Sequence, residues 1–281
     1  MNKWIKVNSK LLKRRARRLA QKYFPEQYGS YSVASFSLRK RVVIIEWNSE
    51  EGIKMLARSK YREPFFALAH LYQPQINPFF CSVAAMVTTL NALRVDHNRV
   101  PNQAGFDFDA PTGEKIHYKL YSQLTLLNPK TEKVKRKVDI APSMLPKDYP
   151  LPEEDYDPGL NLHEVEKILN LHGAETSMFY ASEAPDKALP YFRDTIKQLM
   201  KTSDKIMIAN FHGKVMGLTA KGHYSTIGAY DEESDSVLVL DTAAHKHPWY
   251  WVPLKHLYHG MNTEAAKDLY RGYLIVWDKD V

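Results

Sequence analysis

The sequence has very little cysteine and no long apolar run, and both scarcities limit what the protein can be. Cys81 is the single cysteine among 281 residues, which excludes an internal disulfide and any metal site built from several cysteines. A reducing compartment is the simpler expectation, although a secreted protein without disulfides also fits. No apolar run reaches the length that a bilayer requires, and none follows the first basic residues as a secretory signal would.

Acidic residues are absent from the first 25 positions, where positive charge is concentrated. The formal net charge is +7, and the first acidic residue is Glu26. We interpret residues 1–40 as a basic N-terminal extension that includes an amphipathic helical pattern over 11–24. Three interpretations remain open: a solvated helix packed on the body, a contact with nucleic acid or a membrane surface, or a transit segment. We expect a cytoplasmic protein; the alternatives are an organelle or export into a host cell.

Helical patterns come first along the chain and strand patterns come later, which predicts an α+β fold with an antiparallel sheet. The predicted elements are a strand over 41–47, helices after Asn48 or Ser49, over 65–72, from Cys81 to Leu93, after Asn161 and over 191–201, strands over 205–211, 223–230 and 237–241, a short helix within 251–261, and a strand over 271–277. Between them, residues 98–158 are rich in Pro, Asp, Lys and Tyr, and predict an irregular insertion with a short helix near 118–127. We assign residues 41–281 to one domain.

Cys81 lies at the start of a helix whose apolar residues recur every three or four positions. The free N–H groups and the dipole of a helix N-terminus favour a thiolate, which is the reactive form of cysteine. A buried, inert cysteine is the alternative, because free cysteines often behave as small hydrophobic residues. The position alone does not decide between the two.

Two other polar residues become neighbours if residues 231–236 form a hairpin turn. His223 opens the first strand of that hairpin and Asp241 ends the second. A carboxylate beside an imidazole can orient it as a general base for a nucleophile. Gln75 lies six positions before Cys81, and its amide together with the Cys81 N–H would form an oxyanion hole. The alternatives are residues that merely cap strand ends and an exposed loop glutamine.

Several motifs, in this order, resemble the phytochelatin synthase family, which belongs to the papain-like cysteine protease superfamily. They are Gln75 with Cys81, the helix sequence CSVAAMVTTLNAL, GHYS at 222–225, LVLD at 238–241 and the run PWYWVPL at 248–254, which has one residue more than the family pattern. The resemblance covers about residues 44–276. It implies a papain-like fold in which the nucleophile helix packs on the antiparallel sheet.

The resemblance also implies a role for each matching residue. Cys81 corresponds to the acylated nucleophile, His223 to the general base and acid, Asp241 to the orienting carboxylate and Gln75 to the oxyanion donor. The residues expected to bind the substrate are Asn210, Arg271, Ser82 and Gly222. Arg271 would meet a substrate carboxylate, for which an arginine fork is well suited. Ser82 replaces a glycine that many members carry after the nucleophile.

The implied activity is that of a glutathione γ-glutamylcysteinyltransferase, which cleaves the Cys-Gly bond through a thioester. Water then gives γ-glutamylcysteine, or a second glutathione gives a phytochelatin. The chain ends at Val281 without a second cysteine, so it resembles the short bacterial type, in which hydrolysis can dominate. The alternatives are a papain-like protease or amide hydrolase with another substrate, and a non-catalytic binding protein that uses the basic N-terminus.

The resemblance implies that hydrolysis requires no cofactor. It also implies that cadmium or zinc ions act as activators or form part of a metal–glutathione substrate. Four histidines have spacings that are compatible with metal ligands: His245, His247, His256 and His259. Histidines in an aromatic-rich block are more often packed or exposed, so we predict no resident metal site. The expected partners are glutathione and a second copy of the chain in a homodimer.

Overall fold

The computed structural model describes residues 44–136, 159–219, 221–266 and 269–279. The predictions made for residues 1–40, and for 137–158 of the insertion, lie outside these ranges. The strands are β1 (Ile45–Glu46), β2 (Phe106–Asp109), β3 (Lys115–Tyr118), β4 (Ala174–Tyr180), β5 (Lys205–His212), β6 (Gly222–Asp231), β7 (Ser236–Asp241), β8 (Tyr250–Pro253), β9 (Glu264–Ala266), β10 (Leu269–Tyr270) and β11 (Gly272–Asp278). The helices are α1 (Glu50–Arg58), α2 (Glu63–His70), α3 (Cys81–Arg94), α4 (Leu162–Leu171), α5 (Pro185–Leu199) and α6 (Leu254–Met261).

Seven strands form one sheet in the order β1-β8-β7-β6-β5-β11-β4, and every neighbouring pair is antiparallel. Two short hairpins, β2–β3 and β9–β10, stand apart from it. Helices precede most of the sheet strands along the chain, as the residue patterns predict. The α+β class with an antiparallel sheet is therefore confirmed.

Apolar side chains alternate along the central strands, so each face of the sheet is covered by its own set of helices. On one face, Tyr224 and Leu240 pack with buried residues of α3 and α4. On the other face, Ile227 and Val239 pack with buried residues of α5 and α6. The central strands are therefore buried on both sides, which gives the site a rigid base.

The local signals for helix starts are found where the sequence places them. Ser49 is the N-cap of α1, and its hydroxyl accepts a hydrogen bond from the Gly52 N–H. Asn161 and Glu164 form the reciprocal capping box of α4. Gly173, with φ of 82°, follows the end of α4, where a left-handed residue stops a helix without a Cβ penalty.

The predicted short helix near 118–127 is wrong. Residues 115–118 form strand β3, which pairs with β2, and the chain then continues through turns. Tyr121, Leu126 and Leu127 of this stretch are buried in the core, so its apolar residues are anchors of an irregular segment. Strand β4 and the strand character of Tyr250–Pro253 were also not predicted, because their apolar runs are short.

None of the helices in the described part of the chain combines the length and hydrophobicity that a membrane crossing requires.

Candidate active site

Cys81 is the first residue of α3, a helix that is buried almost along its entire length. The thirteen residues from Ser82 to Arg94 are all buried, whereas Cys81 is only partly buried. Phe80, the fully buried N-cap residue, fixes the point where the helix begins. The thiol therefore lies at the accessible end of a buried helix, where the backbone N–H groups of the first turn have no intrahelical acceptor.

His223 and Asp241 form the ion pair that their strand positions predict. The His223 Nε2 atom lies 2.7 Å from Asp241 Oδ1, and both side chains are buried. Because Nε2 is engaged by the carboxylate, Nδ1 is the ring nitrogen that remains for the Cys81 sulfur. The imidazole ring also packs edge-on against Phe211, which restricts its orientation.

A β-bulge at Gly228 decides that the two side chains share a face of the sheet. On the turn side of the bulge Ala229 pairs with Leu238, and on the other side Ile227 pairs with Val239, so Gly228 has no partner. This one-residue shift places Ser225 opposite Asp241. His223 lies two residues from Ser225 and therefore on the same face. Without the bulge, Asp241 would point to the opposite face, because a slip of one residue reverses the sides.

The protonation state of His223 is set by opposing effects. Burial lowers its pKa, whereas the hydrogen bond and charge of Asp241, and then those of Cys81, raise it, with a net value of about 10. The imidazole is therefore protonated at neutral pH. Because Cys81 contributes to this shift, the thiol lies near the imidazole of His223. The arrangement can act as a nucleophile with a general base and acid.

Asp241 is held ionised by a complete set of donors. Burial raises the pKa of its carboxyl, but the hydrogen bond and charge of His223 lower it, as do the Ala243 N–H and the Tyr250 hydroxyl, and the net pKa is lowered. The Ala243 N–H donates to Oδ1 at 2.8 Å, and the Tyr250 hydroxyl donates to Oδ2 at 3.0 Å. Each carboxylate oxygen therefore has at least one donor, as a buried charge requires.

Gln75 lies in the loop that leads to Cys81. It is hydrogen-bonded to Thr242, the residue that follows Asp241. The Gln75 N–H donates to the Thr242 carbonyl at 2.8 Å, and the Thr242 hydroxyl donates to Gln75 Oε1 at 3.4 Å. The Gln75 amide nitrogen donates one hydrogen to the Asn77 carbonyl at 2.9 Å. A primary amide carries two such hydrogens, so one remains for an oxyanion.

The residues that the sequence assigns to substrate binding gather at one end of the sheet, except for Ser82. Asn210 pairs with Gly272, the residue after Arg271, and its amide nitrogen donates to the Tyr224 hydroxyl at 2.9 Å. A Cβ on Gly222 would lie 3.4 Å from the Arg271 guanidinium, so these two residues are adjacent. Arg271 donates to the Thr263 hydroxyl and to the Glu264 carbonyl.

Ser82 is buried, with 1% of its surface exposed. Its side chain therefore belongs to the packing of α3, and a direct contact with substrate would need access that the described structure does not give it. The substrate role of Ser82 stays a prediction from the resemblance.

Sequence reasoning missed two side chains of the site, Tyr250 and Thr242. Tyr250 is buried in the core, and its hydroxyl binds the Asp241 carboxylate. A tyrosine in a buried run needs a partner for its hydroxyl, which is the signal that would have identified it. Thr242 had no signal beyond its position directly after Asp241.

The histidines that have metal-ligand spacings do not come together with other ligands. Nowhere in the described ranges do three or more His, Cys, Asp or Glu side chains gather as a metal-ligand group. His245 is exposed, and His247 packs edge-on against Tyr250 at 6.4 Å.

Comparison with protein families agrees with this geometry. A family model described as phytochelatin synthase matches residues 37–273, which includes every candidate site residue. The chain belongs to the phytochelatin synthase family. Within the family, the similarity extends over both the loop and helix that carry Gln75 and Cys81 and the strands that carry His223 and Asp241.

Three curated relatives illustrate how far the similarity to other members of the phytochelatin synthase family extends. Glutathione γ-glutamylcysteinyltransferase 3 of Lotus japonicus is 30% identical over 252 residues, which are 87% of this chain and 45% of the relative. Enzyme 1 of Arabidopsis thaliana is 27% identical over 83% of this chain and 41% of its own length. The Schizosaccharomyces pombe enzyme is 28% identical over 76% and 43%. The chain thus spans less than half the length of these relatives.

Proposed function

We propose that this protein is a cysteine transpeptidase or hydrolase that cleaves the Cys-Gly amide bond of glutathione. The observation that carries the proposal is the ion pair of His223 and Asp241 beside a cysteine at a helix N-terminus. Membership of the phytochelatin synthase family supports glutathione as the substrate, as do the names of the relatives.

In the acylation step, the Cys81 thiolate attacks the carbonyl carbon of the Cys-Gly amide. The oxyanion of the tetrahedral intermediate is stabilised by the amide of Gln75 and the backbone N–H of Cys81. His223 donates its proton to the leaving nitrogen, and glycine departs as the carbon–nitrogen bond breaks. A γ-glutamylcysteinyl thioester remains on Cys81.

The second step depends on which nucleophile reaches the thioester. His223, now neutral, accepts a proton from water or from the amine of a second glutathione as that nucleophile attacks. Water yields γ-glutamylcysteine, and glutathione yields a phytochelatin. In both cases the Cys81 thiolate leaves and the resting ion pair is restored.

We propose a papain-like cysteine protease fold on the basis of element order. The nucleophile begins the buried helix α3, and the base and its carboxylate lie on the adjacent antiparallel strands β6 and β7. We further propose that Asn210, Gly222 and Arg271 bind the γ-glutamylcysteine part of the substrate, because they gather at one end of the sheet.

The acylation step as proposed uses protein groups alone. Cadmium or zinc ions would act with the acceptor, as a metal–glutathione thiolate, rather than at the bond that breaks. The proposal also includes a homodimer and a cytoplasmic location.

The test is incubation of the purified protein with glutathione, with and without cadmium or zinc, followed by mass spectrometry. We expect released glycine, γ-glutamylcysteine or phytochelatins, and a γ-glutamylcysteinyl adduct on Cys81 after rapid acid quench. Cys81→Ala should abolish product and adduct while it keeps the far-UV circular dichroism spectrum.

Other outcomes would redirect the assignment. Cleavage of a peptide library with glutathione untouched would favour a protease or another amide hydrolase. Failure to turn over either, together with salt-sensitive binding to nucleic acid or anionic lipid, would favour a binding protein that uses its basic N-terminus.

A further inference from the structure

We propose that Gln123 is a positioning residue that holds the oxyanion loop, residues 74–80, in its working conformation. The inference rests on the proposed function only in that it takes Gln75 as the oxyanion donor. Gln123 lies in the stretch 98–136, to which the sequence motifs assign no role. It does not touch the reacting atoms and acts through the backbone on either side of Gln75.

The geometry is a two-point clamp. Gln123 Oε1 accepts a hydrogen bond from the Ile76 N–H at 3.1 Å, and Gln123 Nε2 donates to the Pro74 carbonyl at 2.8 Å. One side-chain amide thus binds the residue before Gln75 and the residue after it. Gln123 is only 3% exposed, so water does not replace these bonds without cost.

The clamp is itself fixed to the nucleophile helix. Asn91 of α3 accepts from the Tyr121 N–H at 2.8 Å and donates to the Tyr121 carbonyl at 2.9 Å. The Gln73 amide nitrogen also donates to the Tyr121 carbonyl, at 3.0 Å. Three side-chain amides therefore connect the segment 121–123, the oxyanion loop and the helix that begins with Cys81.

This connection matters because the loop belongs to neither a helix nor a strand. A backbone bond from the Gln75 N–H to the carbonyl of Thr242, the residue that follows β7, connects the loop to the end of that strand. An oxyanion donor must be preorganised, and an error of about 1 Å in position costs on the order of 100-fold in rate. The structure thus gives Gln123 the task of fixing the Gln75 amide relative to Cys81.

The test compares acylation with alkylation of the same thiol. Acylation, measured with glutathione and separately with a p-nitrophenyl ester, forms an oxyanion; alkylation by iodoacetamide does not. Gln123→Met replaces the amide with an apolar side chain of similar length. We expect it to slow acylation about 10- to 100-fold, mainly in kcat, and to leave the alkylation rate and its pH profile within about twofold of wild type.

A matched control is available in the same stretch of chain. Thr131 is fully buried, and its hydroxyl also makes one accepted and one donated backbone bond, both with Asn128. Thr131→Val should therefore cost comparable stability and leave acylation unchanged. A double variant with Gln75→Ala adds a second check, because Gln123→Met should have little further effect once the donor is gone.

Three results would overturn the role of Gln123: acylation in Gln123→Met within twofold of wild type, an equal loss in alkylation, or effects that simply add in the double variant. The ester assay keeps this test separate from the proposed function. Were wild-type protein acylated by the ester but inert toward glutathione, the substrate assignment would fail while the clamp would still be measured.

Discussion

The two halves of the candidate site are built in different ways. His223 and Asp241 lie on adjacent strands of a sheet that is buried on both faces, and regular backbone bonds position them. Gln75 lies in a loop that side chains from distant parts of the chain hold in place, namely those of Gln123 and Thr242. The acid–base half thus depends on strand register, whereas the oxyanion half depends on individual side-chain hydrogen bonds.

This difference predicts how each half responds to substitution. A change to a strand-borne side chain removes a chemical group but leaves the backbone in position, since the ladder persists. A change to a residue that holds the loop leaves every reacting group present and alters their geometry. Substitutions in the acid–base half should therefore change the ionisation of the Cys81 thiol, whereas substitutions in the oxyanion half should not.

The largest effect is expected for His223→Ala. Loss of the general base and acid should lower the acylation rate by about 1000-fold or more, and loss of the imidazolium should also slow alkylation of Cys81 at pH 7. Single-turnover acylation and iodoacetamide alkylation measure the two effects. The control is His247→Ala, which removes a half-buried histidine near the pair and should retain activity within about twofold. Near-normal acylation in His223→Ala would break the comparison.

Asp241→Asn should come next, with an acylation loss of about 100- to 1000-fold and an intact fold. Without the carboxylate charge, burial dominates and the pKa of His223 falls, so the imidazolium is lost at a lower pH. Titration of the His223 imidazole, followed by NMR across pH 5–10, measures this fall, because the wild-type pKa of His223 is raised to about 10. A variant profile identical to that of wild type would contradict the role of Asp241.

The same pair has a signature in stability. Since the folded pKa of His223 is raised to about 10, the stability it contributes is fully present below its unfolded value of about 6.5 and is lost as the pH rises through 10. Denaturant unfolding should show this loss in wild type and not in Asp241→Asn.

The smallest effect is expected for Thr242→Val, which tests the link between the halves. The substitution removes the hydroxyl bond to Gln75 Oε1 at 3.4 Å and leaves the backbone bond to the Gln75 N–H. It also removes one of the two hydroxyl donors of the Tyr224 carbonyl, which keeps the hydrogen bond from Ser225, so we expect a stability loss of about 1 kcal/mol. Acylation should fall about threefold to tenfold, with alkylation unchanged. A change in the alkylation pH profile would show that the two halves are coupled more tightly than the comparison states.

Much of the fold and half of the site could be predicted because the signals are local. Caps at Ser49 and Asn161 mark helix starts, and the periodicity after Cys81 marks a buried helix. The acidic turn between two apolar runs predicts the hairpin that brings His223 near Asp241. Each inference needs only the preferences of neighbouring residues.

The remaining features depend on contacts between distant segments. Strand β11 lies between β5 and β4, which no local pattern specifies. The apolar residues of 118–127 predicted a helix, whereas three of them are core residues of an irregular segment. No local pattern distinguishes Gln123 from other polar residues, because its role depends on a hydrogen bond to Pro74, 49 positions earlier in the chain.

The sequence by itself determined that a lone thiol begins a buried helix and that a histidine and an aspartate end up at the same end of a hairpin, because helix caps, periodicity and turns act over a few residues. Only the tertiary structure decided that these two side chains share a face, because the bulge at Gly228 shifts the register by one. It also decided what holds Gln75, because a loop without regular backbone pairing takes its shape from whichever side chains the rest of the chain brings to it.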